Sequence, residues 1–329
     1  MGAQLRIYRR QIKAVQGTQK ITKAMELIAA SRIVKAQNRV NAARPYAEEL
    51  TRALAALSKD ASLQHPLLTG VENPRRTGIL LVTSDRGLAG GYSANAIKKA
   101  NETAERVRAD GKEVVLYVIG RKGVGYYRFR QQPYAGSWTG FSEQPNFLDA
   151  REATDTVVSA LTATSEGEYD GDPGIDELYV VYTKFESMVT QTPTAVLVSP
   201  VGLAQAARDE TSDAEDRASS SSDRSNNSAE SSSDSGPEPA YDFEPEPEEL
   251  MTALLPRYIS ARIFSALLES AASESAARRR AMKSASDNAS DLIKTYTRLA
   301  NQARQAEITQ EISEIVGGAD ALAAAGSDD

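Results

Sequence analysis

No cysteine occurs anywhere in the 329 residues, which excludes disulfides, thiolate nucleophiles, zinc–thiolate clusters and thiol-based switching. The single histidine, His65, excludes a multi-histidine metal centre and a conventional catalytic triad, and its neighbours Gln64, Pro66 and Leu67 read as a linker. No apolar run approaches the roughly 18 residues of a membrane span. The longest, Ile79 to Val82 and Val114 to Ile119, have the length of buried strands. A secretory apolar region is missing after Met1, and MGAQLR lacks the Ser or Thr that a myristoylation signal needs at its sixth position, so the chain is expected to stay in the cytoplasm. Helix breakers are scarce at both ends: Arg257 to Val316 is sixty residues without Pro or Gly, and from Ala3 to Arg44 the only breaker is Gly17.

A continuous helix over the C-terminal stretch would run roughly 90 Å at 1.5 Å per residue. Its apolar stripe needs a cover of similar length, and the other terminal helix is the candidate. The expectation is an antiparallel two-helix shaft with a domain inserted between its halves. Leu5, Tyr8, Ile12 and Val15 open a heptad seam that continues through Met25, Ile28, Ala36 and Val40. Beyond Gln16 the seam turns small and polar, with Gln19, Thr22 and Ala29. In the C-terminal helix Tyr258, Ile263, Leu267, Leu292, Tyr296, Leu299 and Ala303 are read as the apolar face, around an Ala/Ser-rich middle from Ser273 to Ser290. Small residues allow close approach but bury little area each, so such a shaft is marginal alone and implies a partner.

Net charge is −7, but the signs are segregated. Residues 1–44 carry ten Lys or Arg against Glu26 alone, whereas residues 208–249 carry fourteen acids against three arginines. A helix this basic raises a nucleic-acid reading. Apolar residues recur among its charges at helical spacing and no aromatic platform accompanies them, which favours the charged outer face of a rod.

Between the ends lies an α/β pattern. Gly78 to Thr83, Glu113 to Ile119, Glu177 to Thr183 and Thr194 to Val198 are strand-like, with Tyr92 to Ala109 and Asn146 to Thr164 as helices between them and Asp110-Gly111 as a turn. Such alternation implies right-handed crossovers and a mainly parallel, doubly wound, Rossmann-like sheet. The expected division is a shaft helix over 1–60, an α/β domain over 75–205, an acidic Ser-rich disordered insert over 207–247 and a second shaft helix over 248–329. Ser165 to Asp176 is expected to be an acidic loop. Thr211 to Pro247, with eleven serines between Ser212 and Ser235, is too polar to offset the entropy of ordering.

SDRGLAGGY, Ser84 to Tyr92, follows the first strand and enters a helix, where a phosphate loop would sit. It is neither a dinucleotide fingerprint nor a P-loop, because no Gly-Lys-Ser/Thr follows. Gly87, Gly90 and Gly91 read as tight-turn and packing positions, and Asp85 with Arg86 as either a surface contact pair or a solvated turn. No pair of carboxylates with a flanking base stands out, so no catalytic, cofactor or metal site is assigned.

The strings TQKITKAMELIAASRIVKAQ (Thr18 to Gln37) and ARQAEITQEISEIVGGADAL (Ala303 to Leu322), with SDRGLAGGY and LLPRYISARIFSALLESAASESAARRRAMKSASDNA, resemble the γ subunits of bacterial F-type ATP synthases over nearly the whole chain. The resemblance implies a non-catalytic rotor subunit without a cofactor. Its terminal helices would form an asymmetric coiled coil inside a ring of three α and three β subunits, and its α/β domain would grip ε and the membrane c-ring. It would be peripheral, on the cytoplasmic face of a bacterial plasma membrane, and would couple c-ring rotation to ATP synthesis and influence ATPase activity and proton flow. By the same resemblance Arg304, Gln305, Thr309 and Glu311 match a polar cluster that meets a loop of β, and Lys20, Lys23 and Met25 match the part of the N-terminal helix facing β's acidic lever. Met25 fits packing against the C-terminal helix equally well.

Overall fold

The computed structural model describes residues 2–57, 71, 73–169, 171–198 and 247–325. The elements in chain order are α1 (Gly2–Leu57), β1 (Arg76–Val82), α2 (Tyr92–Ala109), β2 (Glu113–Ile119), α3 (Arg121–Phe129), β3 (Gly136–Trp138), α4 (Phe147–Ala163), β4 (Glu168–Tyr169), β5 (Asp172–Pro173), β6 (Glu177–Phe185), β7 (Gln191–Leu197) and α5 (Pro247–Ala325). His65 and the serine-rich segment up to Glu246 lie outside the described residues. Pro247, read from sequence as the end of that segment, instead opens α5, where a missing N–H costs nothing because the first turn has no acceptor for it.

The chain divides into two units. Residues 32–277 form one; Met1–Ser31 and Arg278–Asp329 form the other. In the larger unit five strands run in the order β3-β2-β1-β6-β7, parallel except for the antiparallel β6–β7 pair. Parallel strands must be buried on both faces, and these are. Ile79, Leu81, Val118 and Val181 meet Ala96, Ile97, Ala100 and Ala104 of α2 and Tyr127 of α3 on one side. On the other, Leu80, Val82, Ile119, Leu178 and Val180 meet α4, Leu50 and Leu54 of α1, and Leu255 to Leu267 of α5. The open edge at β7 carries Pro193, which removes a donor that a foreign strand could use.

Local signals explain the element ends. Asn146 Oδ1 accepts from the Asp149 N–H (2.9 Å) and caps α4. After α2, Gly111 takes φ +81 and the Lys112 N–H reaches the Val107 carbonyl (3.2 Å), a left-handed helix stop. The acidic segment after α4 is not an open loop: β4 and β5 pair antiparallel, and Ile175 and Asp176 behind them are buried. Asp176 anchors that return by accepting the N–H groups of Arg75 (2.7 Å), Arg76 (3.0 Å) and Ser165 (2.8 Å).

In the smaller unit the two helical segments cover each other's stripes. Burial on α1 recurs at Leu5, Tyr8, Ile12, Val15, Gln19, Thr22 and Ala29, in alternating steps of three and four closed by one heptad. On α5 it follows Met282, Ser286, Ala289, Ile293, Tyr296, Ala300 and Ala303. Two sequence assignments are corrected: Ile28 is 53 % and Leu292 46 % exposed, each one position off the buried seam. Among the described residues no helix is long and apolar enough to cross a membrane.

Candidate functional site

Two groups of sequence-selected residues lie on the helical unit. Lys20 and Lys23 are exposed on α1, with Lys23 Nζ 3.0 Å from Glu26 Oε2 one turn on, and Met25 is half-buried beside them. Arg304, Gln305, Thr309 and Glu311 are all exposed on α5. The Thr309 hydroxyl donates to the Gln305 carbonyl (3.0 Å), so its proton stays on its own helix while its lone pairs face outward. Gln310 Nε2 donates to Glu314 Oε1 (2.8 Å), which stiffens the same turns.

The sequence reading missed the apolar side of this surface. Every residue from Ile308 to Ala319 is exposed, and Ile308, Ile312, Ile315 and Val316 recur at i, i+4, i+7 and i+8 as one stripe. Ile21, Leu27 and Ile28 add exposed apolar area among the lysines of α1. An exposed stripe on a helix with polar neighbours marks a surface made for another protein. The signal was present in ITQEISEIV as spacing; only the structure shows that no other part of the described chain covers it.

The third group sits at the carboxyl end of β1 and does different work. Asp85 is neither a solvated turn nor a surface contact. Its side chain is 6 % exposed, and its carboxylate accepts the N–H groups of Arg121 (3.1 Å), Gly140 (2.8 Å) and Ser142 (3.0 Å). It therefore ties the β1 loop to the start of α3 and to the segment before α4. Arg86 reaches Glu143 (3.6 Å), which also pairs with Arg32 of α1. Gly87 lies against the Lys122 stem, Gly90 takes φ +57 alongside Leu88 at φ +63, and Gly91 leads into α2 without a capping side chain. Ser84 and Ser93 hydroxyls, 2.7 Å apart, close the loop onto α2. Among the described residues no group of three or more acidic or histidine side chains is placed to hold a metal ion.

Among the described residues, the carboxyls of Asp176 and Glu269 are shifted in opposite directions. Burial alone would raise Asp176, but the backbone N–H groups of Arg76, Ser165 and Arg75 outweigh it and hold the carboxyl below its ordinary value. Burial raises Glu269 on α5, with Lys184, Arg262 and Arg44 and the Phe185 N–H pulling the other way. A lowered carboxyl contributes stability above its ordinary pKa that is lost as pH falls through it. A raised one costs stability as pH climbs from the ordinary value toward the raised one. Urea midpoints should therefore fall below about pH 4 less steeply in Asp176→Asn, and decline less as pH rises above about 4 in Glu269→Gln. Parallel profiles for variant and parent would refute each assignment.

Residues 4–322 match the family model described as ATP synthase. The chain is 55 % identical to the ATP synthase gamma chain of Salinispora arenicola and 53 % to that of Acidothermus cellulolyticus, with all of both chains covered in each case. It is 54 % identical to the Streptomyces griseus gamma chain, also over the full length of both. Among solved structures, its fold is similar to a chain of the Euglena gracilis mitochondrial ATP synthase (OSCP, F1 and c-ring) at TM-score 0.62 and 16 % identity, covering 98 % of this chain and 95 % of that one. A chain of the Tetrahymena thermophila central stalk and c-ring matches at TM-score 0.51 and 22 % identity, over 81 % and 99 %. A full-length match at this identity, on a fold of two terminal helices around a doubly wound sheet, leaves one conclusion: the chain belongs to the ATP synthase gamma chain family.

Proposed function

We propose that this chain is the central rotor shaft of a bacterial proton-translocating F-type ATP synthase, non-catalytic itself, turning inside a ring of three α and three β subunits. The observation that carries the reading is the end of α5, where from Ile308 to Ala319 an apolar stripe and a polar set share one helix that no other part of the described chain covers. The helical unit meets the ring; the α/β unit takes ε and the c-ring. The complex sits at the cytoplasmic face of the plasma membrane with this chain peripheral to it.

Torque requires contacts that form and release at every step. Exposed ion pairs of about 0–1 kcal/mol each suit that need better than a deep hydrophobic lock. Lys20, Lys23 and Met25 on α1 face the acidic lever of β, and Arg304, Gln305, Thr309 and Glu311 on α5 face its catch loop. Each rotor angle then favours one arrangement of the three catalytic sites, a population shift driven by differential contacts, through which the shaft also sets ATPase rate and proton flow.

Co-expression with the α and β subunits of the same organism tests this directly. A complex of three α, three β and one copy of this chain with steady ATPase activity supports the reading, and a chain that purifies alone refutes it. Within that complex, Arg304→Ala with Glu311→Ala is expected to lower turnover about tenfold while leaving the mass unchanged, as loss of two coupled interfacial charges does. Unchanged turnover would remove these two residues from the contact.

A further inference from the structure

Open α/β sheets bind ligands outside the carboxyl ends of their strands, where the strand order reverses. Here the reversal lies between β1 and β6, because β2 and β3 continue to one side of β1 and β6 and β7 to the other. The β1–β6 ladder is paired from Thr77↔Glu177 to Leu81↔Val181, while β6 runs on to Phe185. The Val198 N–H bonds the Leu178 carbonyl on the β7 side (2.8 Å), so alternate residues of β6, Thr183 and Phe185 among them, turn their backbone groups toward the β1 side, beyond the last paired residue of β1.

Side chains of α5 occupy that position. Ser270 Oγ accepts the Thr183 N–H (3.3 Å), and Ser273 Oγ donates to the Thr183 carbonyl (2.9 Å). Ser270 and Ser273 are 1 % and 0 % exposed. A serine inside a helix ordinarily bonds its own preceding turn or water. These two instead satisfy backbone groups of a strand some ninety residues away in sequence, in place of a ladder partner. Ala266, Leu267 and Ile263 on the same helix pack into the apolar core under the sheet.

We propose that the switch-point crevice of this sheet has become a socket for α5, and that Ser270 and Ser273 lock the helix to β6 so that twist passes between helix and sheet without slip. Apolar packing alone resists separation but permits rotation about the helix axis; directional hydrogen bonds to one strand resist rotation. The lock lies just before Arg278, where α5 leaves the larger unit. This deepens the rotor reading and rests on it.

The test uses the assembled synthase in vesicles, carrying Ser270→Ala with Ser273→Ala. Complex mass and ATPase rate should match the parent, protons pumped per ATP hydrolysed should fall by about half, and the Thr183 amide should exchange about tenfold faster in the full-length chain. Ser273→Cys, which keeps a weak donor of similar size, should recover most of the pumping. An assembled double variant with parental pumping per ATP, or with parental Thr183 exchange, overturns the lock. Failure of the rotor reading looks different, since the parent chain itself would then not co-purify with α and β, and that result overturns both.

Discussion

Asp85→Ala is expected to destabilise the larger unit by about 3 kcal/mol, a large fraction of the roughly 5–15 kcal/mol that keeps a typical domain folded. The carboxylate is the common acceptor for three backbone N–H groups drawn from residues 36 to 57 positions away, at 2.8 to 3.1 Å. Alanine would leave the Arg121, Gly140 and Ser142 donors without their partner. Water can reach Arg121 and Gly140, which is why the figure is not larger. The chain's only tryptophan, Trp138, stands on β3 beside this knot, and its carbonyl accepts the Gly120 N–H (2.8 Å). Urea unfolding followed by its fluorescence reads the change directly. A midpoint equal to the parent's would mean that Asp85 is a surface residue after all.

Gly120→Ala should cost at least as much, about 4 kcal/mol, for a steric reason. Gly120 has φ +98, and a Cβ there would lie 2.1 Å from the Thr83 carbonyl oxygen and 2.7 Å from its hydroxyl. Neither can retreat. The Thr83 N–H bonds the Ile119 carbonyl (2.8 Å), and its hydroxyl both donates to Ile119 and accepts from the Gly123 N–H (2.9 Å). Either β1 or the start of α3 must move, which also breaks the Asp85 contact with Arg121. The two substitutions therefore strike one network, and Asp85→Ala with Gly120→Ala should cost measurably less than the sum of the singles. Full additivity in the urea series would show two independent features instead.

How far each element is legible in the sequence follows from the range over which its signal acts. The helix over Tyr92–Ala109 and the strand over Glu113–Ile119 were legible to the residue, because the 3.6 period of the one and the β-branched and aromatic run of the other are written locally and Asp110-Gly111 stops the helix where it stands. The helix over Arg121–Phe129 was not, since RKGVGYYRF holds two glycines of poor helix propensity. Gly123 is required there because a side chain would strike Val118 and Thr83, a contact no local pattern announces. On the long helices, apolar residues at Ile28 and Leu292 sit next to the true seam, and the angular position of the covering helix decides which neighbour is buried.

From its residue pattern alone this chain is determined to be two long terminal helices around a mainly parallel sheet, without thiol or multi-histidine chemistry, because composition and periodicity act within a few residues. Only the tertiary structure decided that Asp85 is an anchor, that the 165–176 segment closes as a hairpin, and that Ser270 and Ser273 of α5 bond the backbone of β6. Each of these joins groups eleven to ninety residues apart. Such contacts depend on where backbone donors and acceptors are left unpaired once the sheet has formed.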